Sequence, residues 1–231
     1  MSRAYDTIVF DLDGTLADTM PDVAYGVNQA LGRMGFPPIS FEQVKKAIGP
    51  GRDEFIKTIF PGEVNPDAKT FLSIFREIYW EHCLENTKLF EGMGGVLSDF
   101  RNLNLGVASN KPKIFTEKIL DGLGIRPIFN EVMGPEDVTH AKPHPEMIIK
   151  IMERVEGEPS RTLFIGDTDK DILAGQKAGV GVCGVRYGYG AVEDIEQLKP
   201  DYLIRFPAEL VEIVRNDGHK LNSDWGRNAN R

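Results

Sequence analysis

Short apolar runs and amphipathic segments alternate along most of the chain. The first run, Thr7-Ile8-Val9-Phe10, belongs to a predicted buried strand over residues 7–12. From about Phe90 onward, similar runs recur, with helical patterns between the earlier ones. They cover residues 106–108, 131–133, 162–165, 181–185 and 202–204. Such alternation predicts an α/β fold, in which helices cover both faces of a parallel sheet.

Residues 18–88 follow a different pattern, in which apolar side chains recur at helical spacing. One set of these side chains is Val23, Val27, Ala30, Leu31 and Met34, and another is Phe71, Leu72, Phe75, Ile78 and Tyr79. Breaks between helices are expected at Phe36-Pro37-Pro38, Gly49-Pro50-Gly51 and Pro61-Gly62. The sequence therefore predicts a helical insertion over residues 18–88 in an α/β domain made of residues 1–17 and 89–215. The polar tail, 216–231, lacks periodicity and is expected to be loosely ordered.

Polar residues suited to chemistry follow four of the predicted strands. They are Asp11 and Asp13, Ser109 and Asn110, Lys142, and Asp167 and Asp171. Because the carboxyl ends of parallel strands meet at one edge of a sheet, we expect one site that binds a hard cation together with an anion. The carboxylates of Asp11 and Asp167 are suited to Mg²⁺, which takes few protein ligands and keeps several waters.

Four motifs occur in order at these strand ends: DLDGT at 11–15, VASN at 107–110, AKPHPE at 141–146 and GDTDKD at 166–171. Together they resemble the haloacid-dehalogenase superfamily, and specifically its phosphatase branch. The resemblance covers roughly residues 5 to 215, and the segment after VASN looks like the phosphoglycolate-phosphatase branch. It implies a Rossmann-like core with a parallel sheet flanked by helices, and an inserted helical cap domain after the first motif.

The resemblance implies chemical roles for three residues. Asp11 is expected to attack phosphorus and form an aspartyl phosphate, which splits one hard displacement into two easier ones. Asp13 is expected to act as general acid and base. Lys142 is expected to neutralise the transferring phosphoryl group and the crowded carboxylates. The implied reaction is Mg²⁺-dependent hydrolysis of a phosphoric monoester.

The resemblance also implies the contacts of the phosphate and of the metal. The residues expected at the phosphate are Ser109, Asn110 and Lys142. The residues expected at Mg²⁺ are Asp11, Asp13 and Asp167, with Asp171 as the supporting acid. Each residue taken alone has a simpler interpretation as a turn, cap or surface residue, and the set favours the site because one rim collects all of them.

The substrate is expected to be a small phosphorylated metabolite, with phosphoglycolate first among the candidates. Arg52, in the predicted cap, is suited to a two-point hydrogen bond with a substrate carboxylate. The interpretation of Arg52 as the start of a capped surface helix is equally good. Alternatives on the same core are a pyrophosphatase, a nucleotide or sugar phosphatase, a β-phosphoglucomutase-like mutase, and a phosphonoacetaldehyde hydrolase with a cap lysine. A non-enzymatic regulatory domain that retains the motifs is a further alternative.

Composition and charge narrow the classes of partner. The chain has 231 residues, of which 41% are hydrophobic and 27% charged, and its net charge is −8. This balance argues against a nucleic-acid or anionic-membrane binder, which needs a basic face. The N-terminal segment lacks a long apolar stretch and no apolar run reaches about 18 residues, so neither a signal peptide nor a membrane span is expected. A cytoplasmic monomer or homodimer is the expectation.

The spacing of the cysteines and histidines does not predict a metal site. The two cysteines, Cys83 and Cys183, form no CxxC pair, so neither a disulfide framework nor a zinc site is expected. The histidines, His82, His140, His144 and His219, do not show ligand spacing and are interpreted as structural or solvated. Two of them, His140 and His144, lie close to Lys142 in the chain.

Overall fold

The computed structural model describes residues 5–48, 51–60 and 68–215. In chain order its strands are β1 (Thr7–Phe10), β2 (Ala17–Asp18), β3 (Lys88–Leu89), β4 (Asn104–Ala108), β5 (Glu131–Met133), β6 (Thr162–Gly166), β7 (Gly181–Val185) and β8 (Tyr202–Ile204). Its α-helices are α1 (Met20–Arg33), α2 (Phe41–Ala47), α3 (Arg52–Ile59), α4 (Ala68–His82), α5 (Met93–Phe100), α6 (Lys113–Gly122), α7 (Glu146–Arg154), α8 (Asp169–Ala178), α9 (Val192–Gln197) and α10 (Glu209–Arg215). The predicted tail 216–231 and the predicted breaks at Gly49-Pro50 and Pro61-Gly62 lie outside the described residues.

Six of these strands form one parallel sheet in the order β5-β4-β1-β6-β7-β8. The central strand β1 pairs with β4 and β6, so that Phe10 lies beside Val107 on one side and Ile165 on the other. The predicted parallel α/β fold is confirmed. Each predicted strand is present, with ends within two residues of the expected ones.

The sheet is buried on both faces, which explains the continuous apolar runs. Alternate side chains of β1 enter different parts of the core, since Phe10 belongs to the larger apolar cluster and Val9 to a second one. The amphipathic helix α7 covers the second face with Met147, Ile148 and Ile151. This packing fixes the end of β1, and therefore the position of the residues that follow it.

The helices α1–α4 lie between two short strands that the hydrophobic pattern did not predict. These strands, β2 and β3, are antiparallel, with Ala17 opposite Leu89 and Asp18 opposite Lys88. The chain therefore leaves the α/β part and returns to it at neighbouring positions. Within the segment, α1 packs on α4, and Gly26 faces the side chains of Phe75 and Tyr79. The assignment of residues 18–88 as a separate cap domain stays a prediction.

None of the described helices combines the length and the apolar character needed to cross a bilayer.

Candidate active site

Residues from the carboxyl edge of the sheet and from the helical segment line one cavity of about 590 Å³. Of the residues predicted for the site, those that line it are Asp11, Asp13, Arg52, Ser109, Asn110, Lys142 and Asp171. Asp167 is fully buried and is not among the lining residues. The structure thus brings the residues at the predicted strand ends together, as the parallel topology requires.

Lys142 lies between two carboxylates at the edge of this cavity. Its Nζ is 2.8 Å from Asp11 Oδ1 and 2.6 Å from Asp171 Oδ1, and its side chain is only 3% exposed. The side chain of Asn110 holds the backbone of this residue, because Lys142 N donates to Asn110 Oδ1 and Asn110 Nδ2 donates to the Lys142 carbonyl, both at 3.0 Å. Asn110 therefore positions Lys142, and its contact with phosphate stays a prediction.

Three buried carboxylates, those of Asp11, Asp167 and Asp171, offer oxygen atoms within 4.8 Å of one another. Burial raises the pKa of Asp11 to about 7, with Lys142 opposing this shift and Asp171 adding to it. Burial also raises the pKa of Asp167 well above its usual range, and the neighbouring carboxylates raise it further. Asp11 Oδ1 is not aligned for a hydrogen bond with any donor among the described residues, although Lys142 Nζ lies 2.8 Å away. The all-oxygen, anionic donor set fits Mg²⁺.

The carboxylate of Asp13 lies outside this cluster. Its Oδ1 is 3.0 Å from Lys111 Nζ and also accepts a hydrogen bond from Thr19 Oγ1. This carboxylate is therefore not part of the group formed by Asp11, Asp167 and Asp171, and the role of Asp13 as a metal ligand stays a prediction. Asp171, which was expected behind the ligands, takes part in the cluster instead.

The turn after β1 is built around Asp167. Thr15 Oγ1 donates to Asp167 Oδ1 at 3.2 Å, and Tyr189 N donates to Asp167 Oδ2 at 2.7 Å. Gly14 adopts a φ of +83°, and a Cβ on it would lie 2.2 Å from Asp167 Oδ2. A side chain at this position would therefore strain the backbone and displace Asp167, which explains the glycine in DLDGT.

Asp171 combines a structural contact with a contact in the site. It lies in the first turn of α8, where its Oδ2 accepts hydrogen bonds from Thr168 N at 3.0 Å and from Thr168 Oγ1 at 2.6 Å. Thr168 in turn caps the helix. This capping box leaves Asp171 Oδ1 directed at Lys142, so the local sequence TDKD places a fixed carboxylate beside the lysine.

Sequence reasoning missed Lys111, whose side chain is 8% exposed. Besides its ion pair with Asp13, its Nζ donates to Tyr79 Oη at 3.0 Å, and Tyr79 belongs to α4. Burial works against the charge of Lys111, but Asp13 and Tyr79 outweigh it and raise its pKa above the usual range. The available signal was its place directly after Ser109 and Asn110, which themselves lie at the end of β4.

Tyr189 was also missed. Its hydroxyl accepts hydrogen bonds from Thr19 N at 2.7 Å and Met20 N at 3.0 Å, and donates to Asp18 Oδ1 at 2.9 Å. Because its own N–H binds Asp167, this residue connects the site with the start of the helical segment. It lies in a glycine-containing loop after β7, and nothing in the local pattern distinguishes it from an ordinary loop tyrosine.

Ser109 and Arg52 both line the cavity, one from the end of β4 and the other from the start of α3. Ser109 is buried at the end of β4, and its Oγ accepts a hydrogen bond from Lys111 N at 3.3 Å. Arg52 is exposed at the start of α3. A second exposed guanidinium, that of Arg76 on α4, lines the same cavity and was not predicted.

Comparisons with known proteins agree on one family. The family model described as haloacid dehalogenase-like hydrolase matches residues 8–185. An N-acetylmuramic acid 6-phosphate phosphatase from Pseudomonas putida is 34% identical over 213 residues, covering 90% of this chain and 95% of the relative. A phosphoglycolate phosphatase from Vibrio parahaemolyticus is 31% identical over 216 residues, with the same two coverages of 90% and 95%. A crystal structure of a predicted phosphoglycolate phosphatase from Haemophilus somnus matches with a TM-score of 0.84 and 32% identity, covering 91% of this chain and 98% of that one.

Proposed function

We propose that this chain, which belongs to the haloacid dehalogenase-like hydrolase family, uses Mg²⁺ and an aspartyl-phosphate intermediate to hydrolyse a small phosphorylated sugar or acid. It is a phosphoric monoester hydrolase, in keeping with relatives that are named phosphatases. The observation that carries the mechanism is the contact between Asp11 and Lys142, which both line the cavity. A buried nucleophile beside a buried cation suits attack on a phosphoryl group.

Asp11 and Asp13 divide the proposed reaction between them. A carboxylate oxygen of Asp11 attacks phosphorus, and the bond from phosphorus to the leaving alkoxide breaks while Asp13 gives that oxygen a proton. Asp13 then takes a proton from water, whose oxygen attacks the aspartyl phosphate and releases phosphate and free Asp11. Lys111 and Thr19 hold the Asp13 carboxyl in place for both steps.

Lys142 and Ser109 are proposed to bind the phosphoryl oxygens, where transition-state charge is spread. Asp11 and Asp167 would hold Mg²⁺, with the Asp171 carboxylate close to both. When bound, the ion supplies positive charge that offsets the carboxylates and the phosphoryl oxygens. Because the pKa of Asp11 is raised in its absence, the ion would also favour the ionised nucleophile.

The helical segment is proposed to act as the cap that selects the substrate. Its side of the cavity combines apolar rings with two cations, from Phe55, Phe75, Tyr79, Arg52 and Arg76. Phosphoglycolate remains a candidate, with its carboxylate on a guanidinium. The cavity volume of about 590 Å³ falls in the range of about 300–1,000 Å³ that encloses drug-sized ligands, and this favours a second candidate, a carboxylate-bearing sugar phosphate.

The phosphonate alternative needs a cap lysine that reaches the substrate as an imine. The described segment 18–48 and helix α3 carry Lys45, Lys46 and Lys57, and these three lysines are not among the residues that line the cavity. Lys57 instead pairs with Glu54 at 2.8 Å on the exposed surface. This placement supports hydrolysis of an ester over cleavage of a carbon–phosphorus bond. A cytoplasmic location and a monomeric or homodimeric state stay predictions.

The test is phosphate release from a panel of esters, with Mg²⁺ and with excess EDTA. The panel contains phosphoglycolate, N-acetylmuramic acid 6-phosphate, hexose phosphates, nucleotide monophosphates and pyrophosphate. Asp11→Asn should abolish release, whereas Asp169→Asn, which changes an exposed carboxylate near the site, should not. The ranking by kcat/KM identifies the substrate class. Release that is unaffected by EDTA or retained by Asp11→Asn would contradict the proposed mechanism.

A further inference from the structure

The loop that carries Lys142 also brings two histidines and a glutamate together. His140, His144 and Glu146 offer ligand atoms within 4.8 Å of one another. The two imidazole rings have centroids 4.7 Å apart, and His140 Nδ1 is 3.6 Å from Glu146 Oε2. A turn produces this arrangement, because His144 N donates to the carbonyl of Ala141 at 3.0 Å. Sequence reasoning, which found no ligand spacing among the histidines, missed this group.

Glu146 is an ionised and well-held member of the group. Its oxygens accept hydrogen bonds from Thr139 N and His140 N, both at 3.0 Å, and Lys150 Nζ lies 2.8 Å away. Lys150 and these backbone donors lower the pKa of Glu146 to about 2. A fixed carboxylate therefore lies beside two imidazoles that are exposed to solvent.

We propose that His140, His144 and Glu146 form a second cation site, selective for a transition-metal dication such as Zn²⁺ over Mg²⁺. Imidazole nitrogen with one carboxylate suits zinc, copper or nickel, whereas Mg²⁺ prefers an all-oxygen set. Three protein ligands leave the remaining coordination position to water. This site is separate from the carboxylate cluster of Asp11, Asp167 and Asp171, which contains no imidazole.

The distances lie within reach of coordination. Two ligands about 2.1 Å from a tetrahedral Zn²⁺ are about 3.4 Å apart. From a separation of at most 4.8 Å, the donors need to approach by about 1.4 Å, given the bond lengths above. Rotation of the exposed side chains of His140 and His144 can supply this movement without a shift of the backbone, with His144 Nδ1 giving up the hydrogen bond that it accepts from Glu146 N at 3.3 Å.

Occupancy of this site bears on Lys142, because the ligands come from both sides of it in the chain. Asn110 holds the backbone of Lys142 through two hydrogen bonds. A bound ion would add a cross-link between His140 and His144 on the solvent side. It binds the folded loop and not an unfolded one, so it stabilises the protein and slows amide exchange in the loop.

Cu²⁺ is the most informative probe of this site. Hyperfine coupling in its electron paramagnetic resonance spectrum shows how many imidazole nitrogens bind the ion. With Mg²⁺ in excess to occupy the carboxylate site, one equivalent of Cu²⁺ should show coupling to two nitrogens in the wild type. His140→Ala and His144→Ala should each leave one nitrogen and weaken binding by about tenfold or more, which corresponds to at least about 1.4 kcal/mol. His82→Ala is the matched control, because His82 pairs with Glu85 but has no second imidazole in its group.

Thermal unfolding gives an independent readout that does not depend on phosphatase activity. Zn²⁺ should raise the Tm of the wild type and of His82→Ala in the presence of Mg²⁺, and should leave the Tm of the double variant His140→Ala/His144→Ala unchanged. Circular dichroism of each variant verifies the fold. Copper coupled only to oxygen in the wild type, or a two-nitrogen signal that survives in the double variant, would overturn the proposed site.

Discussion

The sheet side and the helical side of the cavity differ in how their charged groups are buried and paired. On the sheet side, Asp11, Asp13 and Lys142 are buried, and each lies within 3.0 Å of an oppositely charged group. On the helical side, Arg52 and Arg76 are exposed and have no ion pair with another described residue. The fixed groups suit a reaction whose geometry must not vary, and the unpaired cations suit a ligand that brings its own anion.

The helical side owes its shape to a row of aromatic rings. Phe71, Phe75 and Tyr79 follow at intervals of four along α4, with stacked neighbours at 6.1 Å and 5.3 Å between centroids. Phe115 of α6 continues the row at 5.1 Å from Tyr79. Packed aromatic rings together with exposed cations suit this side to selecting a ligand by shape and charge, whereas the proposed reaction takes place on the sheet side.

The largest loss of kcat is expected when Lys142, on the sheet side of the cavity, is replaced. Lys142→Met leaves Asp11 and Asp171 without their shared cation, so kcat should fall by roughly 10²- to 10³-fold at saturating Mg²⁺. Steady-state phosphate release measures this effect. Lys170→Met, which removes a lysine one residue before Asp171 in the chain, is the matched control. Equal losses of kcat in both variants would show that the removal of any nearby positive charge, and not of the contact between Lys142 and Asp11, is responsible.

A second prediction concerns the free energy of unfolding without metal. In EDTA the folded-state pKa of Asp11 is about 7, above the value of 3.8 that represents the unfolded chain. The folded state therefore holds this proton more tightly, and the contribution of Asp11 to stability is greatest below pH 4 and is lost as the pH rises through about 7. Because one pKa unit corresponds to about 1.4 kcal/mol, urea unfolding of wild type should show a pH-dependent loss that exceeds the loss in Asp11→Asn by a few kcal/mol over this range. Parallel profiles would contradict the assignment.

Lys111 contacts Asp13 on the sheet side and Tyr79 of α4 on the helical side, so its variants show which of these two contacts matters for catalysis. Lys111→Met removes the ion pair with Asp13 and should lower kcat by roughly 10- to 100-fold, because the proposed general acid and base keeps only its contact with Thr19. Tyr79→Phe removes only the hydrogen bond from Lys111 to α4 and should change kcat little. Steady-state kinetics of both variants separate the contributions. A loss in Tyr79→Phe as large as in Lys111→Met would mean that the contact with α4, and not the one with Asp13, matters.

The smallest effect is expected on the helical side. Arg52→Ala and Arg76→Ala should each raise KM by about tenfold for a substrate with a carboxylate, with kcat nearly unchanged, because a ground-state contact is removed. KM for a hexose phosphate without a carboxylate should not change. Arg101→Ala, an exposed arginine outside the cavity, is the control. A loss in kcat instead of a rise in KM would contradict this prediction and would mean that these arginines act in the transition state.

The α/β part of the molecule was predictable because its signal is local. The strands are short apolar runs, three of them followed directly by Asp11, Ser109 and Asp167, and parallel topology brings those ends to one edge. The meeting of Asp11, Asp167 and Lys142 follows from that rule without any knowledge of side-chain contacts. The rule says nothing about where each carboxylate points, and for this reason the placement of Asp13 beside Lys111 was not foreseen.

The remaining features depend on contacts between distant segments. The pair of β2 and β3 joins residues about 70 positions apart, and each strand has only two residues, too few for a periodic signal. Tyr189 reaches Asp18 across 171 positions through a single hydroxyl. Arg76 lies on a helix that was predicted, but which of its faces borders the cavity depends on how α4 packs on α1 and α6.

The short pairing of β2 with β3 also has a consequence for the history and engineering of such a protein. Paired antiparallel residues are only about 4.5–5.5 Å apart. The two ends of the helical segment, which are paired in β2 and β3, therefore lie next to each other. An insertion with such closely spaced ends can be exchanged for another without shifting the surrounding sheet. Substrate range can thus diverge by replacing one contiguous stretch of gene, while the catalytic residues are inherited unchanged. Chimaeras joined at Ala17–Asp18 and Lys88–Leu89 offer the same route in the laboratory.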